Sequence, residues 1–204
     1  MNRPIKTVVV ATNNVNKVDE IRMALEVPGW EFATLRELGI QSNPEETGER
    51  FLENALIKAR AAHEATGLAA IADDSGLEVD ALDGRPGVHS SRFAGDNATD
   101  AMNNAKLISQ MIGVPDEERT ARFVSVVAYI DENGVEYYGR GDCHGYIGWE
   151  PQGDGGFGYD PLFWPNALPG HSMAMLTPEE KSVCSHRGQA LRRLKSELEN
   201  RGCC

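Results

Sequence analysis

No stretch of this chain approaches the roughly 18 consecutive apolar residues that a membrane helix needs, which argues against a helical membrane span. The first residues, Met1-Asn2-Arg3-Pro4, lead into a strand-like segment without the profile of a signal peptide, so a cytoplasmic protein with no membrane partner is expected. Cysteine is scarce. Cys143, Cys184, Cys203 and Cys204 lack the paired spacing of metal ligands, and the adjacent Cys203 and Cys204 would form only a strained mutual disulfide, so reduced thiols are expected. Positive charge is also in deficit: 20 Lys and Arg face 31 Asp and Glu, for a formal net charge of −11. Such a chain lacks the broad basic surface on which nucleic-acid binding draws, so no nucleic-acid partner is expected and an anionic ligand must meet locally placed cations or a metal. There is no internal repeat, low-complexity linker or compositional break, and residues 1–204 are read as one domain.

What is present suffices for a core, since 41% of the 204 residues are hydrophobic. Lys6 to Ala11 is a β-branched apolar run that reads as a buried strand, followed by a polar loop at Thr12-Asn13-Asn14. From Lys17 to Val27, Val18, Ile21, Ala24 and Leu25 fall on one helical face that Pro28-Gly29 ends. A second helix is predicted over Glu49–Thr66, with Phe51, Leu52, Ala55, Leu56, Ala59 and Ala62 inward and Gly67 as its stop. A short strand, Leu68 to Ala72, then delivers Asp73 and Asp74 at its carboxyl end, where ligands commonly bind in α/β sheets. Gly76 to Asn97 reads as an ordered loop. Further along come a helix over Thr99–Ile112, a hairpin of Arg122–Ile130 and Val135–Tyr138, a helix start at Thr177-Pro178-Glu179-Glu180, and a last helix over Gly188–Asn200. The fold class is α/β, with a mixed β-sheet flanked by helices.

Several segments carry chemistry. Thr12-Asn13-Asn14-Val15-Asn16-Lys17 lies between strand and helix, and is either a polar turn capping that helix or a cradle in which backbone N–H groups and Lys17 hold phosphate oxygens. Glu45-Glu46-Thr47-Gly48 either complements the positive end of the following helix or supplies carboxylates to a site. In Asp73-Asp74-Ser75-Gly76, two adjacent carboxylates repel each other, which a divalent cation or a shared proton relieves, although a structural turn is the alternative. Oxygen ligands without His or Cys nearby favour Mg²⁺. The glycines of Gln152 to Pro161 let a backbone approach a ligand while Phe157 and Tyr159 stay available for stacking; a flexible loop whose aromatics cap the core is the other reading. Lys181 and Ser185-His186-Arg187-Gly188 place three cationic donors before the last helix, where a solvated basic face is the usual explanation, and Lys58 is either a surface lysine or a phosphate contact.

In order along the chain, ATNNVNK (11 to 17), EETG (45 to 48), FLENALIKA (51 to 59), ADDSGLEVDAL (72 to 82), GGFGYDP (155 to 161) and LTPEEKSVCSHRGQAL (176 to 191) resemble the inosine triphosphate pyrophosphatase family. The resemblance spans nearly the whole chain, and its specificity lies in the ordered set rather than in any one fragment. It implies a Mg²⁺-dependent enzyme that converts non-standard purine nucleoside triphosphates (ITP, dITP, XTP) to the monophosphate and pyrophosphate. It further implies an elongated two-lobed α/β unit and a homodimer. Thr12, Asn13, Asn14, Val15, Asn16 and Lys17 would wrap the triphosphate, with Lys58 near it. Glu46 and Asp74 would bind Mg²⁺ with Asp73 beside them, Asp74 would be the general base, and Ser75 would contact substrate. Phe157, Gly158, Tyr159 and Asp160 would form the base-binding loop, with Phe157 stacking on the purine and Lys181, His186 and Arg187 reading its edge. Many relatives carry glycine where this chain has Asn13 and Asn16, and asparagine is the best non-glycine substitute where a left-handed backbone is required. The competing readings are a house-cleaning pyrophosphatase for other modified nucleotides and a non-catalytic ITP-binding regulator.

Overall fold

The structure is a computed structural model that describes residues 5–203; the expectations placed on Met1–Pro4 and on Cys204 lie outside the described residues. Six strands hydrogen-bond in the order β2-β1-β3-β4-β5-β6, where β1 is Lys6–Val10, β2 Trp30–Thr34, β3 Ala69–Val79, β4 Thr120–Ile130, β5 Glu136–Ile147 and β6 Phe163–Pro165. β1 runs parallel to β2 and β3, whereas β5 and β6 pair antiparallel, so the sheet is mixed as expected. The helices are α1 (Val15–Ala24), α2 (Phe51–Thr66), α3 (Asp100–Gln110), α4 (Pro178–Cys184) and α5 (His186–Asn200). No helix among the described residues is long and apolar enough to cross a membrane.

Two compact units divide the chain. The first comprises the chain up to Asp74, Ser125–Gly141 and the chain from Arg187 onward; the second comprises Ser75–Val124 and Asp142–His186. In the first unit, Val8, Val10, Ile71, Val127 and Tyr129 from the strands pack with Val18, Ile21 and Leu25 of α1 and with Ala190, Leu191, Leu194 and Leu198 of α5. Both helical stripes are those that a 3.6-residue period dictates. The approach of α5 to the sheet is set by Gly139, where a Cβ would lie 2.1 Å from the carbonyl oxygen of Ala190 and 2.6 Å from the amide nitrogen of Leu194. In the second unit, Leu77, Val79, Phe123, Ile147, Leu162 and Phe163 form a separate core with Leu107 and Met111.

The two helix signals that rested on caps hold. α2 ends at Gly67, which is left-handed at φ 68°, and α4 opens with Thr177 accepting from the amide of Glu180 while the Glu180 carboxylate accepts from that of Thr177. Along α2, however, Asn54 is fully buried where the pattern favoured Leu52 and Leu56, which are half-buried. The larger correction concerns the acidic doublet. Asp73-Asp74-Ser75-Gly76 is not a turn after a short strand; it lies inside the 11-residue β3, which continues to Val79 before short 3₁₀ turns at Asp80–Leu82 and Gly87–Arg92. Charged residues interrupt an apolar run in sequence, yet a strand tolerates them when partners from other elements satisfy them.

Candidate active site

Because side chains alternate across a strand, Asp73 and Asp74 are presented to opposite faces of β3 and meet different partners. Asp73 is almost fully buried. Its Oδ1 accepts from Ser125 Oγ at 2.6 Å and Arg187 Nε at 3.2 Å, and its Oδ2 accepts from Arg187 Nη2 at 3.2 Å and lies 2.6 Å from Lys17 Nζ. Arg187 also donates through Nη1 to Glu20. Burial by itself would raise the carboxyl of Asp73, but the guanidinium of Arg187 and the ammonium of Lys17 hold it well below the usual carboxylate range. Lys17 is shifted down by burial despite Asp73, while Arg187, buried as it is, is pushed up by Asp73 and Glu20.

Asp74 has a different environment. Its Oδ1 accepts from Lys58 Nζ at 2.8 Å, and the same ammonium lies 3.5 Å from Glu46 Oε2. Asp74 Oδ2 is buried and has no hydrogen-bond partner among the described residues. Burial raises its carboxyl to about 6 against the pull of Lys58. For Lys58, burial acts downward, and the carboxylates of Asp74 and Glu46 reverse it to a net rise. Glu46 is brought there by the segment before α2. Asn54 Oδ1 accepts from the Gly48 amide at 2.8 Å and Asn54 Nδ2 donates to the Gly48 carbonyl at 3.2 Å, and a Cβ on Gly48 would sit 2.6 Å from Asn54 Oδ1.

The geometry therefore offers two carboxylates, Glu46 and Asp74, around one cation, with an orphaned carboxylate oxygen. Among the described residues no three His, Cys, Asp or Glu side chains gather as a metal cage. That donor set fits Mg²⁺, which is usually held by one or two carboxylates with the remaining positions taken by phosphate and water. An orphaned buried oxygen otherwise costs about 1–3 kcal/mol, more when charged, which a cation would relieve.

Between β1 and α1, Thr12 Oγ1 accepts from the Asn14 amide at 3.1 Å, and Asn14 Oδ1 caps α1 by accepting from the Lys17 amide at 3.3 Å. Val15 and Asn16 form the first turn of α1 and are exposed. Asp83 is the non-glycine residue with positive φ among those described, so neither Asn13 nor Asn16 needs the left-handed backbone that glycine would supply.

In the second unit, the loop Phe157–Asp160 is fixed from α3 and α4. Asp160 accepts from the Phe157 amide at 3.0 Å and lies 2.7 Å from Lys181 Nζ, which in turn stands 4.6 Å from the centre of the Phe157 ring. The Gly158 amide donates to Asp100 at 2.7 Å, its carbonyl accepts from Asn104 at 2.9 Å, and Tyr159 donates to the Ser90 carbonyl at 2.8 Å. His186 stacks on Phe123 with ring centres 4.8 Å apart, and Ser75 is half-buried on β3. This loop combines an aromatic face with a lysine donor, a pairing suited to a planar heterocycle.

A profile of the Ham1 family matches residues 8–197. The chain belongs to the Ham1 family. Similar proteins include the dITP/XTP pyrophosphatase of Mycolicibacterium paratuberculosis, 49% identical over 193 residues that cover 93% of this chain and 94% of that one. The dITP/XTP pyrophosphatase of Escherichia coli strain K12 is 48% identical over 198 residues, covering 96% and 100%. The structure of a HAM1 protein from Coxiella burnetii aligns with a TM-score of 0.86 at 41% identity, covering 96% of this chain and 100% of that one.

Within this Ham1 chain, Lys17 and Asp73 come together, as do Lys58, Glu46 and Asp74, and separately Phe157, Asp160 and Lys181. Arg187 is bonded to Asp73 and Glu20 and is 1% exposed. Asp73 has both oxygens engaged, by Ser125, Arg187 and Lys17, in a buried ion-pair network. Glu20, Asn54, Ser125, Asp100 and Asn104 had no distinguishing sequence signal beyond, for Asp100 and Asn104, a four-residue spacing on one face of α3.

Proposed function

We propose that this Ham1 chain is a Mg²⁺-dependent pyrophosphatase for non-standard purine nucleoside triphosphates (ITP, dITP, XTP), releasing the monophosphate and pyrophosphate and so cleansing the cytoplasmic nucleotide pool. The observation that carries the reading is Asp74: buried, raised to about 6, salt-bridged through one oxygen to Lys58 beside Glu46, with the other oxygen unpartnered. Glu46 and Asp74 would hold Mg²⁺, which when bound would supply neutralisation of phosphate charge. Asp74 orients water and accepts its proton; a carboxylate whose proton affinity lies near neutrality is matched to that role. Lys58 and Lys17 hold phosphate oxygens, with the backbone of residues 12–17 around them. Ser75 contacts substrate next to Asp74. Asp73 and Arg187 position Lys17.

The purine is assigned to Phe157–Asp160. Phe157 stacks on it, and the Lys181 ammonium donates to the 6-carbonyl of hypoxanthine or xanthine, with His186 as a further donor; the 6-amino group of adenine would place donor against donor. Release of monophosphate and pyrophosphate from ITP, dITP, XTP, GTP and ATP, with and without Mg²⁺, tests the reading. Preferential Mg²⁺-dependent turnover of the inosine and xanthosine substrates is expected, and equal rates on ATP would overturn it. The homodimer belongs to the same proposal and is checked by sedimentation of the native chain.

A further inference from the structure

Every cation in the Asp73–Asp74 cluster is engaged before a ligand arrives: Lys17 by Asp73, Lys58 by Asp74 and Glu46, and Arg187 by Asp73 and Glu20. A triphosphate entering there brings several negative charges to lysines that already face carboxylates, so beyond Mg²⁺, Lys17 and Lys58 its distal phosphates can take a further cation. In the same compact unit a cleft of about 520 Å³ is lined by Asn13 together with Arg36, Gln41, Ser42 and Asn43. Its size is in the range of small-molecule sites.

Arg36 is exposed, and its guanidinium has no hydrogen bond or ion pair among the described residues. The adjacent Glu37 does not neutralise it, because that carboxylate is taken by the amide and hydroxyl of Thr34 and by Arg22. Asn13 belongs to the loop between β1 and α1, and Asn43 lies on the segment that continues to Glu46, so the walls of the cleft are continuous in chain with both the phosphate loop and the carboxylate that faces Lys58. A planar fork of donors with neutral amide and hydroxyl groups around it suits a phosphate-bearing anion.

We propose that this cleft is the subsite for the pyrophosphate portion of the substrate, with Arg36 as its cation. The inference rests on the pyrophosphatase reading but is tested apart from turnover. Calorimetric titration of the whole native chain with pyrophosphate in the presence of Mg²⁺, and separately with inosine monophosphate, is repeated on Arg36→Gln and Arg36→Lys, whose melting temperatures should match the native one because the side chain is exposed. Pyrophosphate affinity should fall roughly tenfold or more in Arg36→Gln, recover in part in Arg36→Lys, and leave monophosphate affinity unchanged. Equal pyrophosphate affinity in Arg36→Gln and the native chain, an equal loss for both ligands, or no pyrophosphate binding by the native chain would overturn the subsite. Absence of pyrophosphate release from ITP by the native chain would instead overturn the pyrophosphatase reading.

Discussion

At the scale of single residues, Asp73 and Asp74 make opposed predictions. The raised carboxyl of Asp74 means that the native metal-free protein binds a proton more readily than the unfolded chain between the ordinary carboxylate value of 3.8 and about 6. Ionised Asp74 is therefore a cost to stability, fully present above about 6 and relieved on acidification. The lowered carboxyl of Asp73 contributes stability above its unfolded value that is lost as pH falls through its folded one. At neutral pH and without metal, we predict that Asp74→Asn raises the melting temperature by a few degrees, corresponding to roughly 1–3 kcal/mol, yet lowers turnover by about 10²-fold or more. Asp73→Asn should instead destabilise by about 3 kcal/mol or more, since it leaves Lys17 and Arg187 buried with a neutral partner. Chemical denaturation of both variants checks the pair. Mg²⁺ needs the same ionised carboxylate, so its affinity, measured by titration, should rise with pH to a plateau above about 6, and raising Mg²⁺ should move the acid limb of the rate profile to lower pH. The sequence identified both aspartates but not their division of labour, because Asp73 meets Arg187 across 114 residues and no local pattern records that pairing.

At the scale of elements, glycine at 139 is where β5 and α5 touch backbone to backbone. Gly139→Ala should cost about 1–3 kcal/mol, and because α5 carries Arg187 near its start, the displacement should loosen the hold on Asp73 and Lys17. Equilibrium unfolding and the Michaelis constant for ITP read the two effects; an unchanged melting midpoint would show that the helix accommodates the methyl. Elements announced by local chemistry were readable: α2 from its apolar stripe and Gly67, α4 from its reciprocal cap, and the β4–β5 hairpin, although β5 runs on to Ile147 past the predicted end at Tyr138. β2, β6 and the second half of β3 were not. Trp30–Thr34 and Phe163–Pro165 are short and are defined by their neighbours in the sheet, and β3 passes through charged and glycine positions that resemble a turn until Ser125, Arg187 and Lys17 are in place.

At the scale of the whole molecule, the net charge of −11 opposes the approach of an anionic nucleotide, and only the local cations reverse this. Screening shortens from about 30 Å at about 0.01 M ionic strength to about 8 Å at about 0.15 M. Over that interval kcat/KM for ITP at saturating Mg²⁺ should rise modestly; a steep fall would mean that the cationic cluster governs encounter at long range. The separation of the two aspartates is itself a property of the sheet. The pairing of Val8, Val9 and Val10 with Ala69, Ala70 and Ile71 fixes the parity of every later position on β3. A slip by one residue would exchange the faces of the doublet, setting Asp74 against Arg187 and Asp73 against Lys58. Two chemically identical neighbours thus acquire distinct duties from an odd or even count along a strand, so sequence changes that shift strand register could redistribute function without altering either aspartate.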